Sequence, residues 1–141
     1  MPHPTNETNK YILLNGKAED VLKTIDDNTV HCVVTSPPYW KLRDYFNDGQ
    51  LGHEDTPEEY VNNLVKIMRE VKRVLRKDGA VWFNIGDSYN NSFKHPVIKK
   101  KDLVGMPWSV AFALRSDGWY LRSDIIFAKK NPLPGLPDNG F

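Results

Sequence analysis

Apolar positions along the chain fall into short blocks separated by turn-forming residues, and their spacing alternates between two kinds. Residues 11–14, Tyr-Ile-Leu-Leu, and residues 30–34, Val-His-Cys-Val-Val, are compact runs that read as strands. Between them Ala18, Val21, Leu22 and Ile25 recur at three- and four-residue steps, which predicts a short helix over residues 18–25. Asp26, Asp27 and Asn28 supply the turn that follows. The strongest periodicity comes later, where Val61, Leu64, Met68, Val71 and Leu75 share one face of a helix. Thr56 as N-cap, Pro57 at the first position and Glu59 at the third form a capping box, and Asp78-Gly79 supplies the expected stop. Residues 80–85 then read as a strand closed by Gly86-Asp87-Ser88. Residues 107–116 read as a helix with Pro107 in its first turn and Gly118 past its end. Leu121, Ile125, Ile126 and Phe127 mark a last strand over residues 119–128. Strand, helix, strand in repeated order predicts right-handed parallel βαβ units.

Composition narrows this picture only a little. A chain of 141 residues, 40% hydrophobic and 26% charged, fits one soluble domain or part of a larger one. A net charge of +1 exerts no global pull on nucleic acid, so any DNA contact has to come from a local patch. No apolar run is long enough to span a bilayer and no leader pattern opens the chain, so a cytoplasmic protein is expected. A single cysteine excludes an intrachain disulfide and a cysteine-rich zinc site. Cys32, inside a strand, is expected to be a buried structural residue, and His31 a structural one with no second histidine at metal spacing, so no metal site is expected. Residues 1–9 read as a flexible polar tail and residues 131–141, with three prolines and no period, as an irregular one. Lys66, Arg69, Lys72, Arg73, Arg76 and Lys77 suit the solvated, C-terminal part of the long helix. Residues 89–101 carry Lys94, His95, Lys99, Lys100 and Lys101, which read as a solvated run or as phosphate contacts.

The candidate chemistry lies at Thr35-Ser36-Pro37-Pro38-Tyr39-Trp40, directly after the second strand. Each proline fixes its own φ near −65° and lacks an N–H. Each also forces the preceding residue out of the helical region, so Ser36 and Pro37 must be extended. The product is a stiff ledge with free carbonyls, a serine hydroxyl and two aromatic rings beside it. Such a ledge suits a planar group that carries an NH₂. Residues 41–55, with Arg43, Tyr45, Phe46 and His53, have no period and read as a lid or substrate-facing loop, with an ordinary surface connection as the alternative.

The hexapeptide resembles the catalytic motif of the amino-group DNA methyltransferases, which methylate N4 of cytosine or N6 of adenine. Serine in its first position is more typical of the N4-cytosine members. Residues 73–79 with the strand and Gly86-Asp87-Ser88 after them, and residues 121–134, are similar to later motifs of the family, with Phe127 where tryptophan is more usual. The resemblance covers roughly residues 11–134 and only the catalytic half of such an enzyme, leaving residues 10–130 as that half-domain. It implies a partial Rossmann-like α/β core, a mostly parallel sheet with helices on its faces. It also implies S-adenosyl-L-methionine as cofactor, DNA as substrate, and a restriction-modification setting. By the same resemblance Ser36, Pro37, Pro38 and Tyr39 are catalytic, Tyr39, Trp40 and Arg43 hold the base, and Thr35, Ser36 and Asp87 face the cofactor. A turn-capping role for Asp87 remains an equal reading. No Gly-x-Gly occurs in the chain, and Lys17 stands where relatives often carry an acid, so the cofactor-binding half is expected from self-association or a second chain. Alternatives are N6-adenine methylation in DNA or RNA, methylation of a protein glutamine amide, a non-autonomous split subunit, and a Pro-Pro-Tyr docking module.

Overall fold

A computed structural model describes residues 11–128 and residue 130. Among them the chain forms α1 (Ala18–Val21) continued by a 3-10 turn (Leu22–Thr24), β1 (Val30–Thr35), α2 (Pro57–Val74), β2 (Leu75–Phe83) and α3 (Met106–Ser116). The two strands pair in parallel, with Val33 opposite Val81, Val34 opposite Trp82 and Thr35 opposite Phe83. The β1–α2–β2 crossover therefore forms as its sequence predicts, and it carries both strands' C-terminal ends to the same edge.

Helix α2 begins as its sequence demands. The Thr56 side chain accepts from the Glu59 N–H at 3.2 Å, and the Glu59 carboxylate accepts from the Thr56 N–H at 3.4 Å. Its end differs from expectation, because the helix stops at Val74 rather than at Asp78-Gly79. Leu75 already has extended geometry and lies opposite Val30, whereas Ala80 lies opposite Cys32, so residues 76–79 bulge out of the ladder. The bulge is held by an Arg76–Asp78 ion pair at 2.9 Å and by the Lys77 N–H donating to the Asn28 side chain at 3.3 Å. A side chain at Gly79 would meet Leu75 at 2.7 Å, so glycine permits the turn.

The core lies between α2, α3 and one face of the strand pair. Tyr60, Val61, Leu64 and Val65 from α2 join Met106 and Val110 from α3, with Trp40 and Val104 from the loops. Phe83 and Ile85 pack against this cluster from the sheet side. The cations of α2 are less idle than their sequence suggested. Arg69 bonds Asp117 at 2.6 Å and ties the helix to the end of α3. Arg73 donates to the carbonyls of Leu22 at 2.8 Å and Ile25 at 3.0 Å, bonds Glu70 at 2.9 Å, and also pairs with Asp27. It staples the α1 turn onto α2.

Among the described residues nothing covers the opposite face of the sheet. Cys32, Val34, Ala80 and Trp82 all point there, with Val34 78% and Trp82 55% exposed. One expectation changes for this reason: Cys32 is exposed, not buried. His31, on the alternate side of the strand, is exposed as well. Residues 11–14 and 119–128 form no strands, since a strand needs a hydrogen-bonded neighbour and among the described residues only β1 and β2 pair. Residues 1–9 and 131–141 lie outside the described residues.

Removing the cap by Thr56→Ala should lower stability by about 1 kcal/mol in denaturant unfolding. Cys32 should react with a disulfide-exchange reagent in the native chain as fast as in the unfolded chain, followed by absorbance. Protection of the native thiol would contradict an open face.

Candidate active site

The ledge sits where β1 ends. Thr35 is the last residue of the ladder, its carbonyl accepting from the Asn84 N–H at 2.9 Å. The prolines then end the pairing, because neither has an N–H to continue it. The Pro38 carbonyl turns inward and accepts from the Tyr60 hydroxyl at 2.8 Å. Tyr60 is fully buried, and burial, followed by the charge of Glu54 and the nearby Tyr39 hydroxyl, raises its pKa far above that of a free phenol. The hydroxyl therefore stays protonated and acts as a permanent donor. On the far side the Lys41 N–H closes onto the Gly52 carbonyl at 2.7 Å. A Cβ at Gly52 would meet the Tyr39 carbonyl oxygen at 2.9 Å, and φ is +98° there, so this close approach requires glycine.

With the Thr35, Pro38 and Tyr39 carbonyls engaged, the acceptors at Ser36 and Pro37 have no partner among the described residues. Ser36 is exposed and its hydroxyl is likewise unpaired. Tyr39 stands beside them, half-buried, its ring lying directly on Gly86. An added Cβ at Gly86 would come within 2.6 Å of the ring, so the β2 turn sets the ring's position. A narrow cleft of about 10 Å³ runs between Tyr39, Leu42, Asp87, Ser88 and Met106, room for roughly one water.

The remaining sequence-predicted residues separate. Trp40 does not offer a second stacking surface: it is 4% exposed, its indole N–H donates to the Glu54 carbonyl at 3.0 Å, and Phe93 meets it edge-on at 4.9 Å. Burial of so large an apolar ring in the core outweighs its exposure at the site. Arg43 is exposed, and no hydrogen bond or ion pair joins its guanidinium to the ledge. Residues 41–55 are irregular as expected, with the Gln50 side chain bridging the Tyr45 N–H and the Arg43 carbonyl. Asp87 takes the capping role. Its carboxylate accepts from the N–H groups of Gly105 and Met106, both at 3.0 Å, and of Ser88 at 2.9 Å. Gly105 is the N-cap of α3 and has no side chain of its own, so Asp87 satisfies the helix start from 18 residues away.

Sequence reasoning missed Tyr60, Gly52 and the reach of Asp87. Tyr60 carried a faint signal, a polar-tipped ring four residues before Leu64 on the buried face. Gly52 carried none, and the capping reading of Asp87 did not reach its partners on α3, because those are set only by folding. Among the described residues no group of three or more metal-ligating side chains converges, and no helix is long and apolar enough to cross a membrane.

The arrangement is that of an α/β protein with open acceptors and an aromatic ring at the carboxyl ends of parallel strands, where such sheets place their ligands. A family model described as DNA methylase, the N6/N4 type, matches residues 30–141. The chain is 44% identical to the type II methyltransferase M.SmaI of Serratia marcescens, over 86% of this chain and 49% of that protein. It is 45% identical to M.Cfr9I of Citrobacter freundii, over 91% and 49%. Among solved structures it is similar to a DNA modification methylase of Thermus thermophilus, solved in complex with S-adenosyl-L-methionine. That likeness has a TM-score of 0.55 at 28% identity, over 73% of this chain and 37% of the other. The chain belongs to the N6/N4 DNA methylase family, and it spans about half the length of the curated relatives it matches.

Tyr60→Phe would leave the Pro38 carbonyl without its buried donor, and should lower stability by about 1–3 kcal/mol in urea titration. A change below a few tenths would mean that the hydroxyl does not hold the ledge.

Proposed function

We propose that this chain is the catalytic portion of an S-adenosyl-L-methionine-dependent DNA methyltransferase acting on an exocyclic amine, N4 of cytosine in preference to N6 of adenine. The observation that carries the reading is the pair of unengaged acceptors, the Ser36 hydroxyl and the Pro37 carbonyl, beside an aromatic ring. An exocyclic amine is a weak nucleophile because its lone pair is delocalised into the ring. Accepting both N–H bonds on one ledge draws the nitrogen out of conjugation and leaves its lone pair facing away from the protein. The base has to leave the duplex to reach the ledge. Tyr39 then stacks on it, a contact worth about 1–3 kcal/mol. Ser36 is an orienting acceptor here, with no histidine bonded to it as a nucleophile would require. Family membership and the relatives' names support DNA as the substrate, and the serine in the motif supports cytosine.

The residues present do not make a pocket for the cofactor. The cleft beside Tyr39 holds about one water, Asp87 is occupied as a helix cap, and no Gly-x-Gly turn exists. The cofactor, when bound, supplies an electrophilic methyl group, and its pocket needs polypeptide beyond this chain's described residues. The bare face of β1 and β2 is the place where that polypeptide, as further sequence, a second copy or a partner chain, would pack. A non-autonomous subunit is thus the second reading.

In a methylation-competent protein containing this chain, Ser36→Ala and Tyr39→Ala should each reduce methyl transfer to DNA by at least about 100-fold, in the range seen when a catalytic donor or acceptor is lost. Unfolding by circular dichroism should be unchanged for Ser36→Ala. Wild-type turnover in either variant would defeat the assignment, and nucleoside separation of the labelled product decides between N4-methylcytosine and N6-methyladenine.

A further inference from the structure

The basic stretch after β2 is a built loop rather than a loose one. Its neck is closed by a bridge between Tyr89 and Leu103, by the Asn90 N–H donating to the Asp102 carbonyl at 2.8 Å, and by the Lys101 N–H donating to the Asn90 carbonyl at 2.7 Å. At its centre Asn90 is 1% exposed. Its amide donates to the carbonyls of Phe93 at 3.1 Å and Ile98 at 3.0 Å, while its oxygen accepts from the Phe93 N–H at 3.1 Å. A second post is His95, whose Nδ1 accepts from the N–H groups of Val97 at 3.2 Å and Ile98 at 3.0 Å. The ring proton of the neutral histidine therefore sits on Nε2, 3.0 Å from the Glu58 carboxylate on α2. The Lys99 N–H is held by the Asp102 carboxylate at 2.8 Å.

What this frame presents is positive charge. Lys94, Lys99 and Lys100, with Asn91 and Ser92, surround an open concavity of about 360 Å³. None of these three lysines makes an ion pair among the described residues, whereas Arg69, Arg73 and Arg76 of the same protein all do. Lys72 likewise serves a joint, donating to the Asp117 and Gly118 carbonyls, whereas Lys94, Lys99 and Lys100 make no side-chain hydrogen bond among the described residues. The loop also adjoins the ledge, since Phe93 packs against Trp40, the residue after Tyr39, and the Lys41 ammonium lies over both rings.

We propose that Lys94, Lys99 and Lys100 form a phosphate-binding rim that holds the DNA backbone beside the ledge on which the extruded base is seated. The inference rests on the reading of DNA as substrate. Near-neutral net charge makes a local, preorganised rim the means by which this chain gains phosphate affinity. Fixing the loop backbone in advance lowers the ordering cost of that contact.

The test is fluorescence anisotropy of a labelled duplex oligonucleotide from about 50 to 200 mM salt. It compares the wild-type chain, Lys94→Gln/Lys99→Gln/Lys100→Gln, and a charge-matched control, Lys23→Gln/Lys66→Gln/Lys77→Gln. The loop variant should bind at least tenfold more weakly at the low end. Its slope of log affinity against log salt should be shallower by about 2 to 3, near 0.9 for each phosphate that is no longer neutralised. The control should keep the wild-type slope. Asn90→Ala, checked for retained helicity, keeps every lysine and should lose most of the same difference. Equal slopes in wild type and loop variant, an equal loss in the control, or no salt-dependent binding by wild type each overturn the proposal. Displacement of the DNA by inorganic phosphate at matched ionic strength would make the rim a free-phosphate site and also overturns it. Equal slopes with Ser36-dependent methylation intact remove the rim alone. A lysine-dependent slope with Ser36 dispensable removes the transferase reading and leaves the rim.

Discussion

The Tyr60 hydroxyl bonded to the Pro38 carbonyl is the contact on which the candidate site depends. A strand that ends in two prolines loses its ladder partners there, so nothing in the sheet can hold the next residues in place. A buried phenol without a partner would cost on the order of 2–7 kcal/mol, and an inward-facing carbonyl is similarly penalised. Each group is therefore satisfied by the other, and the longest helix is locked to the ledge. The consequence is selective: the Pro38 carbonyl is taken, whereas the acceptors at Ser36 and Pro37 stay open. The same logic recurs at Asp87, which leaves the site to cap α3 and so ties the β2 turn under Tyr39 to the third helix.

The bare face of the sheet follows from a different constraint. Parallel strands are ordinarily covered on both faces, which is why residues 30–34 and 80–85 read as near-continuous apolar runs. Only one face is covered among the described residues, and Val34, Trp82 and Cys32 face outward. Residues 11–14 and 119–128, equally apolar, lie exposed as irregular chain. Exposed apolar surface of this extent is the basis for proposing that further polypeptide packs here. The span of about half the relatives' length accords with it. The crossover and the ledge form nonetheless, because both are local to β1, α2 and β2.

Charge is divided between two uses. The arginines of α2 serve internal joints, Arg73 to the α1 turn and Arg69 to the end of α3. Lys94, Lys99 and Lys100 of the loop around Asn90 make no ion pair among the described residues. Sequence composition, which counts both alike, shows only near-neutrality.

By itself the sequence determined the elements whose causes are local. The capping box of Thr56 and Glu59, the 3.6-residue face from Val61 to Val71 and the proline-stiffened ledge after β1 all form as their residues require. Backbone sterics and short-range hydrogen bonds act wherever those residues occur. Tertiary structure decided the rest. Trp40 went to the core because Phe93 and Glu54 meet it there, and Asp87 became a cap because α3 begins beside it. The helix gave way to a bulge at Leu75 because Val30 lay opposite. Two apolar segments stayed unpaired for want of a neighbouring strand. Each of these outcomes depends on a partner far away in the chain, and a partner's position is a property of the packed fold.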